Sequence, residues 1–79
     1  MEYRYLGASG LRVSELAMGT QTFGWGVEEK SAFEMADRFV ESGGNFFDTS
    51  STYNEGTSEG ILGSWLRRNG KRDSMVIAT

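Results

Sequence analysis

Three short apolar runs, Leu16-Ala17-Met18, Phe46-Phe47 and Met75-Val76-Ile77-Ala78, are separated by two stretches whose apolar residues recur at helical spacing. A continuous apolar run of strand length has no solvated face, so it belongs in a sheet covered by other elements. Alternation with amphipathic helices then calls for parallel strands joined by right-handed crossovers. The chain is thereby restricted to a piece of an α/β barrel or a small doubly wound sheet.

The first helical stretch runs from Glu28 to Ser42 and carries Ala32, Phe33, Ala36, Phe39 and Val40 on one stripe. Glu28 and Glu29 suit its positive N-terminal end, and Gly43-Gly44 supplies a left-handed stop. The second begins near Ser58-Glu59, buries Ile61, Leu62, Trp65 and Leu66, and ends on Arg67, Arg68 and Gly70. Gly60 sits inside it at a cost of up to about 1 kcal/mol. Ahead of all this, strands near residues 2–5 and 11–14 flank Gly7-Ala8-Ser9-Gly10, which reads as a hairpin. The expected organisation is one unit over 1–79, a hairpin at 2–14 followed by β-α-β-α-β over 16–79.

Several function classes fall away on residue content. Without cysteine or histidine there is no disulfide framework, no thiolate nucleophile and no hydrolytic triad, and no metal site is expected. A net charge of −3 argues against a nucleic-acid partner, which needs a basic face to displace counterions. No apolar run approaches the roughly 20 residues of a membrane span, and Met1-Glu2-Tyr3-Arg4-Tyr5 lacks the apolar core of a signal peptide. The expectation is a cytoplasmic chain with no membrane partner.

In parallel α/β folds, ligands sit where the loops leave the C-terminal ends of the strands. Here those positions are Gly19-Thr20-Gln21, the loop from Asp48 to Tyr53, and whatever follows Thr79. Asp48, four small polar residues and the Tyr53 phenol share one short loop. Residue types alone favour a plain reading, in which Asp48 satisfies loop amides and Tyr53 covers an apolar patch.

The order of motifs points further. Tyr5-Leu6-Gly7-Ala8-Ser9-Gly10-Leu11-Arg12-Val13-Ser14, then Leu16-Ala17-Met18-Gly19-Thr20, then Gly43-Gly44-Asn45-Phe46-Phe47-Asp48-Thr49, Tyr53, Ser58-Glu59, Leu62-Gly63 and Val76-Ile77-Ala78-Thr79 follow one another over nearly the whole chain. In this the sequence resembles bacterial aldo-keto reductases of the type related to potassium-channel β-subunits.

The resemblance implies an α/β fold, a partial TIM (β/α)8 barrel. At about 250 residues for a whole barrel, 79 residues are a piece of one. It implies NADPH as cofactor and a small-molecule carbonyl as substrate, an aldehyde or ketone reduced to an alcohol by hydride transfer. Hydride addition leaves negative charge on the carbonyl oxygen, so a proton donor must be aimed at it. By resemblance Tyr53 is that catalytic acid and Asp48 the partner of a lysine that eases proton loss from the phenol. Gly19, Thr20 and Gln21, with Asp48 beside them, match the segment lining the nicotinamide side of the cofactor. Phe23 and Trp25 are candidates for a substrate wall.

The family lysine falls directly after Thr79, so residues 1–79 alone are expected to be inactive. Ser50 and Asn54 stand where the family often has alanine and glycine. Two other readings remain open: a non-catalytic piece that self-associates through exposed strand edges, and a small α/β binding domain that closes its own core.

Overall fold

The computed structural model describes residues 1–79, and its elements follow the order read from the sequence. Strands β1 (Tyr3–Tyr5) and β2 (Arg12–Ser14) form an antiparallel hairpin with Tyr3 opposite Ser14 and Tyr5 opposite Arg12. Strands β3 (Met18–Gly19), β4 (Phe46–Asp48) and β5 (Val76–Ala78) make a separate parallel sheet in the order β3-β4-β5. Helices α1 (Glu29–Glu41) and α2 (Thr57–Asn69) are the two crossovers. Short 3-10 turns occupy Tyr53–Gly56 and Arg72–Ser74. No helix is long and apolar enough to cross a membrane.

The middle strand explains why the helices pack where they do. Phe47, fully buried, meets the edge of Phe39 from α1 at 5.2 Å and the indole of Trp65 from α2 at 5.5 Å between ring centres. Ala36, Leu62, Leu66 and Met75 complete this cluster. Each of the larger of these side chains contributes roughly 1.5–3 kcal/mol when taken out of water. The Trp65 indole N–H donates to Asp37 Oδ1 at 2.8 Å, so the two helices are also joined by a polar contact at the cluster's rim. A second, smaller cluster of Phe23, Ala32 and Ile61 sits under the loop that follows β3.

Two glycines close α1. Gly43 takes φ 96°, a left-handed turn that ends the helix, and the Tyr3 hydroxyl donates to its carbonyl at 2.6 Å. Gly44 is needed for space, since a Cβ there would lie 2.3 Å from the Phe39 ring.

The hairpin is fastened by Asn45. Ser14 N donates to Asn45 Oδ1 at 2.7 Å, Asn45 Nδ2 donates to Arg12 O at 2.9 Å, and Asn45 N donates to Ser14 Oγ at 3.2 Å. The Arg12 guanidinium lies 4.4 Å from the Tyr3 ring centre, a cation–π contact across the hairpin. Because Asn45 immediately precedes β4, the hairpin sits at the N-terminal ends of the parallel strands. The opposite edge is left for the loops.

One element departs from expectation. The apolar run Leu16-Ala17-Met18 is not a buried strand: pairing is confined to Met18–Gly19, and Leu16 is 61% exposed. The Ser14 hydroxyl donates to Leu16 O at 2.7 Å, holding residues 14–16 in a bend that postpones the strand. Leu16 instead joins Met1, Met18, Met35 and Phe39 along a shallow apolar groove.

Candidate active site

The three parallel strands end level with one another. Gly19 lies opposite Asp48, and Asp48 opposite Ala78, so the positions singled out from the sequence share one edge of the sheet. Backbone bonds carry this register outward, with Thr20 N donating to Asp48 O at 3.0 Å and Thr49 N to Ala78 O at 2.8 Å.

The expected residues divide into two groups. Gly19, Gln21 and Asp48 are exposed, and Tyr53 is half-buried at the start of its 3-10 turn. At Gly19 a Cβ would meet nothing within 4 Å, so the space over this backbone is open to a ligand. Thr20 differs. Its side chain is wholly buried and its hydroxyl donates to Asp48 O at 3.0 Å, so it is committed to the sheet rather than turned toward a ligand.

Ser58, at the start of α2, completes a buried hydroxyl cluster. Its Oγ donates to Thr20 O at 2.6 Å and lies 2.9 Å from Thr20 Oγ1 and 3.4 Å from Thr49 Oγ1. No buried side-chain polar atom is left without a partner. The cluster therefore holds the ends of β3 and β4 against α2 with every buried hydroxyl satisfied. From the sequence, Ser58 marks only a helix start; its buried bonds link residues 38 apart and have no local signature.

The loop carrying Tyr53 is built from side-chain turns. Ser50 Oγ accepts from Thr52 N at 3.2 Å, and Tyr53 N donates to Ser50 O at 3.1 Å. Asn54 and Glu55 then take left-handed φ values of 52° and 57°. Asn54 also donates to two carbonyls of the facing loop, Gln21 O at 2.9 Å and Phe23 O at 3.0 Å.

That facing loop closes on itself through a bridge between Phe23 and Val27, with Trp25 68% exposed at its tip. Phe23 does not serve as a substrate wall. It is 1% exposed and packs on Ala32 and Ile61. Of the two aromatic candidates, only Trp25 faces outward.

Beside the strand ends lies a hollow of about 170 Å³ whose lining includes Thr49, Glu59, Leu62, Ile77 and Thr79. The Thr79 hydroxyl donates to Glu59 Oε2 at 2.6 Å, tying α2 to the end of β5. The largest hollow, about 480 Å³, is instead between the helices, lined in part by Phe33, Asp37, Trp65 and Arg68. The candidate site is thus an open edge and not an enclosed cavity.

A parallel α/β sheet capped by a hairpin at one end carries an acid, a phenol and an open glycine at the other, the arrangement of a piece of an α/β barrel with its candidate site at the strand ends. Residues 15–79 match the profile described as the aldo/keto reductase family, and the chain belongs to that family. It is 45% identical over 84 residues to the oxidoreductase YrpG of Bacillus subtilis, covering all of this chain and 26% of that protein. It is 40% identical over 78 residues to an aryl-alcohol dehydrogenase [NADP(+)] of Phanerodontia chrysosporium, covering 89% of this chain and 20% of that protein. Among solved structures it is similar to an aldo-keto reductase of Bacillus halodurans in its holo form, with a TM-score of 0.84 and 37% identity over 95% of this chain and 24% of that one. The chain spans about a quarter or less of the length of these relatives.

Proposed function

We propose that residues 1–79 supply the proton donor and one wall of the nicotinamide site in an NADPH-dependent reductase of small aldehydes and ketones. The observation that carries this reading is the level alignment of Gly19 and Asp48 at one sheet edge, with open space over Gly19 and Tyr53 on the adjoining loop. The relatives named as NADP-linked aryl-alcohol dehydrogenase and norsolorinic acid reductase support carbonyl chemistry on aromatic compounds.

In this reading Gly19, Gln21 and Asp48 would line the nicotinamide side of the cofactor, which when bound would supply the hydride. Tyr53 donates the proton to the carbonyl oxygen as charge develops there. Asp48, exposed at the strand end, would pair with the lysine that the family resemblance calls for. Thr20 contributes by fixing Gly19 and Gln21 rather than by touching the cofactor. The lysine and the phosphate-gripping residues that the family resemblance calls for find no match within residues 1–79, so in this reading turnover needs the rest of the barrel. The unpaired outer edges of β3 and β5 favour self-association of the isolated chain.

The test is a hybrid in which residues 1–79 replace the matching segment of the Bacillus halodurans enzyme. Tyr53→Phe in that hybrid should lower turnover of an aromatic aldehyde by about 10² to 10⁴ while leaving NADPH binding nearly intact. Retention of more than about a tenth of the turnover, or a loss traced mainly to cofactor affinity, would make Tyr53 a packing residue.

A further inference from the structure

Asn54 joins the two loops of the site. Its single amide nitrogen has two protons and uses both, one to Gln21 O at 2.9 Å and one to Phe23 O at 3.0 Å, across 33 and 31 residues of sequence. Its backbone is left-handed at φ 52° and ψ 41°, followed by Glu55 at φ 57° and Gly56 at φ 92°. Three positive φ values in succession turn the chain immediately after Tyr53. For non-glycine residues this conformation is disfavoured and persists only where surrounding contacts hold it.

Glycine would take that backbone freely but offers no donor. Asparagine tolerates it and adds two.

The consequence falls on Tyr53. Its N-terminal side is held by its own N–H to Ser50 O at 3.1 Å. Its C-terminal side is held by Asn54, and one of the two acceptors belongs to Phe23, which is 1% exposed in the packed cluster under the loop. The rigidity of that cluster therefore reaches the residue next to the phenol.

We propose that Asn54 is a positioning residue, which fixes Tyr53 relative to the Gly19–Gln21 edge by stapling the Tyr53 loop to the Gln21–Phe23 loop. This rests on the reading of Tyr53 as proton donor. The staple ties the two loops that flank the strand ends, so its loss leaves Tyr53 held on its N-terminal side only and removes one tie on the Gln21–Phe23 loop.

Three variants of the hybrid separate the possibilities. Asn54→Gly keeps the backbone conformation and removes both donors. It should lower kcat and kcat/KM together by about tenfold, toward the lower end of what two net hydrogen bonds are worth, with the NADPH Kd and Tm little changed. Asn54→Asp also accepts the left-handed backbone but turns carboxylate oxygens toward two carbonyls, so its turnover should fall below that of Asn54→Gly. Equal, near-parental turnover in both would show that only the backbone conformation matters and would overturn the proposal. Tyr53→Phe is the third: if it stays active, the proton-donor reading itself fails, and the positioning role with it.

Hydrogen exchange over residues 20–27 reads the staple without turnover, on the 79-residue chain and on the hybrid. In Asn54→Gly the amides of Phe23, Trp25 and Val27, which are bonded to Thr20 O and Thr22 O, should exchange about tenfold faster. Unchanged exchange refutes the staple whatever the kinetics show.

Discussion

Replacing Asn45 by alanine should unlatch the hairpin without melting the parallel sheet. The substitution removes the acceptor of Ser14 N and the donor to Arg12 O, while the Asn45 N–H can still reach Ser14 Oγ. Ser14 is 1% exposed, so its orphaned N–H costs about 1–3 kcal/mol. Arg12 is exposed and its carbonyl can turn to water, adding no more than about 1 kcal/mol. A total near 2–3 kcal/mol corresponds to about a 30- to 150-fold shift toward the detached hairpin. What remains to hold it is the Tyr3 hydroxyl on Gly43 O, the Asn45 N–H on Ser14 Oγ and the burial of Val13. Native-state hydrogen exchange reads this directly. Leu6 N and Glu15 N, bonded within the hairpin at 2.8 and 2.9 Å, should exchange faster by that factor, whereas Thr49 N, bonded to Ala78 O, should hardly change. Asn45→Asp, which keeps the acceptor for Ser14, should lie between alanine and wild type. Equal acceleration at Thr49 would mean that hairpin and sheet open as one body, and no acceleration anywhere would mean that Asn45 is not the latch.

Two glycines of opposite surroundings give opposite predictions. At Gly60, inside α2, a Cβ would meet nothing within 4 Å, so Gly60→Ala should stabilise the chain by about 0.5–1 kcal/mol and raise the urea midpoint; a lower midpoint would contradict this. At Gly44 the added Cβ would fall 2.3–2.5 Å from the Phe39 ring. Gly44→Ala should displace that ring from Phe47 and cost about 1–3 kcal/mol, and an unchanged melting temperature would show that Phe39 moves freely.

The order of elements was legible because period and punctuation agreed. The stripe on residues 28–42 and the stop at Gly43-Gly44 correspond to α1 over Glu29–Glu41, and Gly70 closes α2 at φ 61°. The misplaced strand at Leu16 shows the limit of apolar runs as a signal. A serine hydroxyl bonded two residues on decided where pairing began. At the site, Asp48 and Tyr53 could be set on one loop from sequence, but the inward turn of Thr20 could not, since it depends on Ser58 arriving from α2. Phe23 was equally ambiguous: an aromatic in a glycine-flanked loop gives no local sign of whether it faces solvent or Ile61. Asn54 offered one clue, a residue tolerant of left-handed backbone in the place of a glycine.

The Phe23–Val27 bridge has an implication for how such a protein can diversify. It works as a clasp: the loop is closed beneath it by buried Phe23, and only Gly24, Trp25 and Gly26 lie beyond. Gly24 is tied to the scaffold, because a Cβ there would lie 2.5 Å from the Thr57 methyl, whereas nothing stands within 4 Å of one at Gly26. The cost of closing a longer flexible tip grows only by about 0.6 kcal/mol per doubling of its length. Gly26 is held to glycine by its φ of 85°, so position 25 is the exchangeable point of the tip, where the side chain can drift and the loop can lengthen while the clasp, and the strands it is anchored to, keep their geometry.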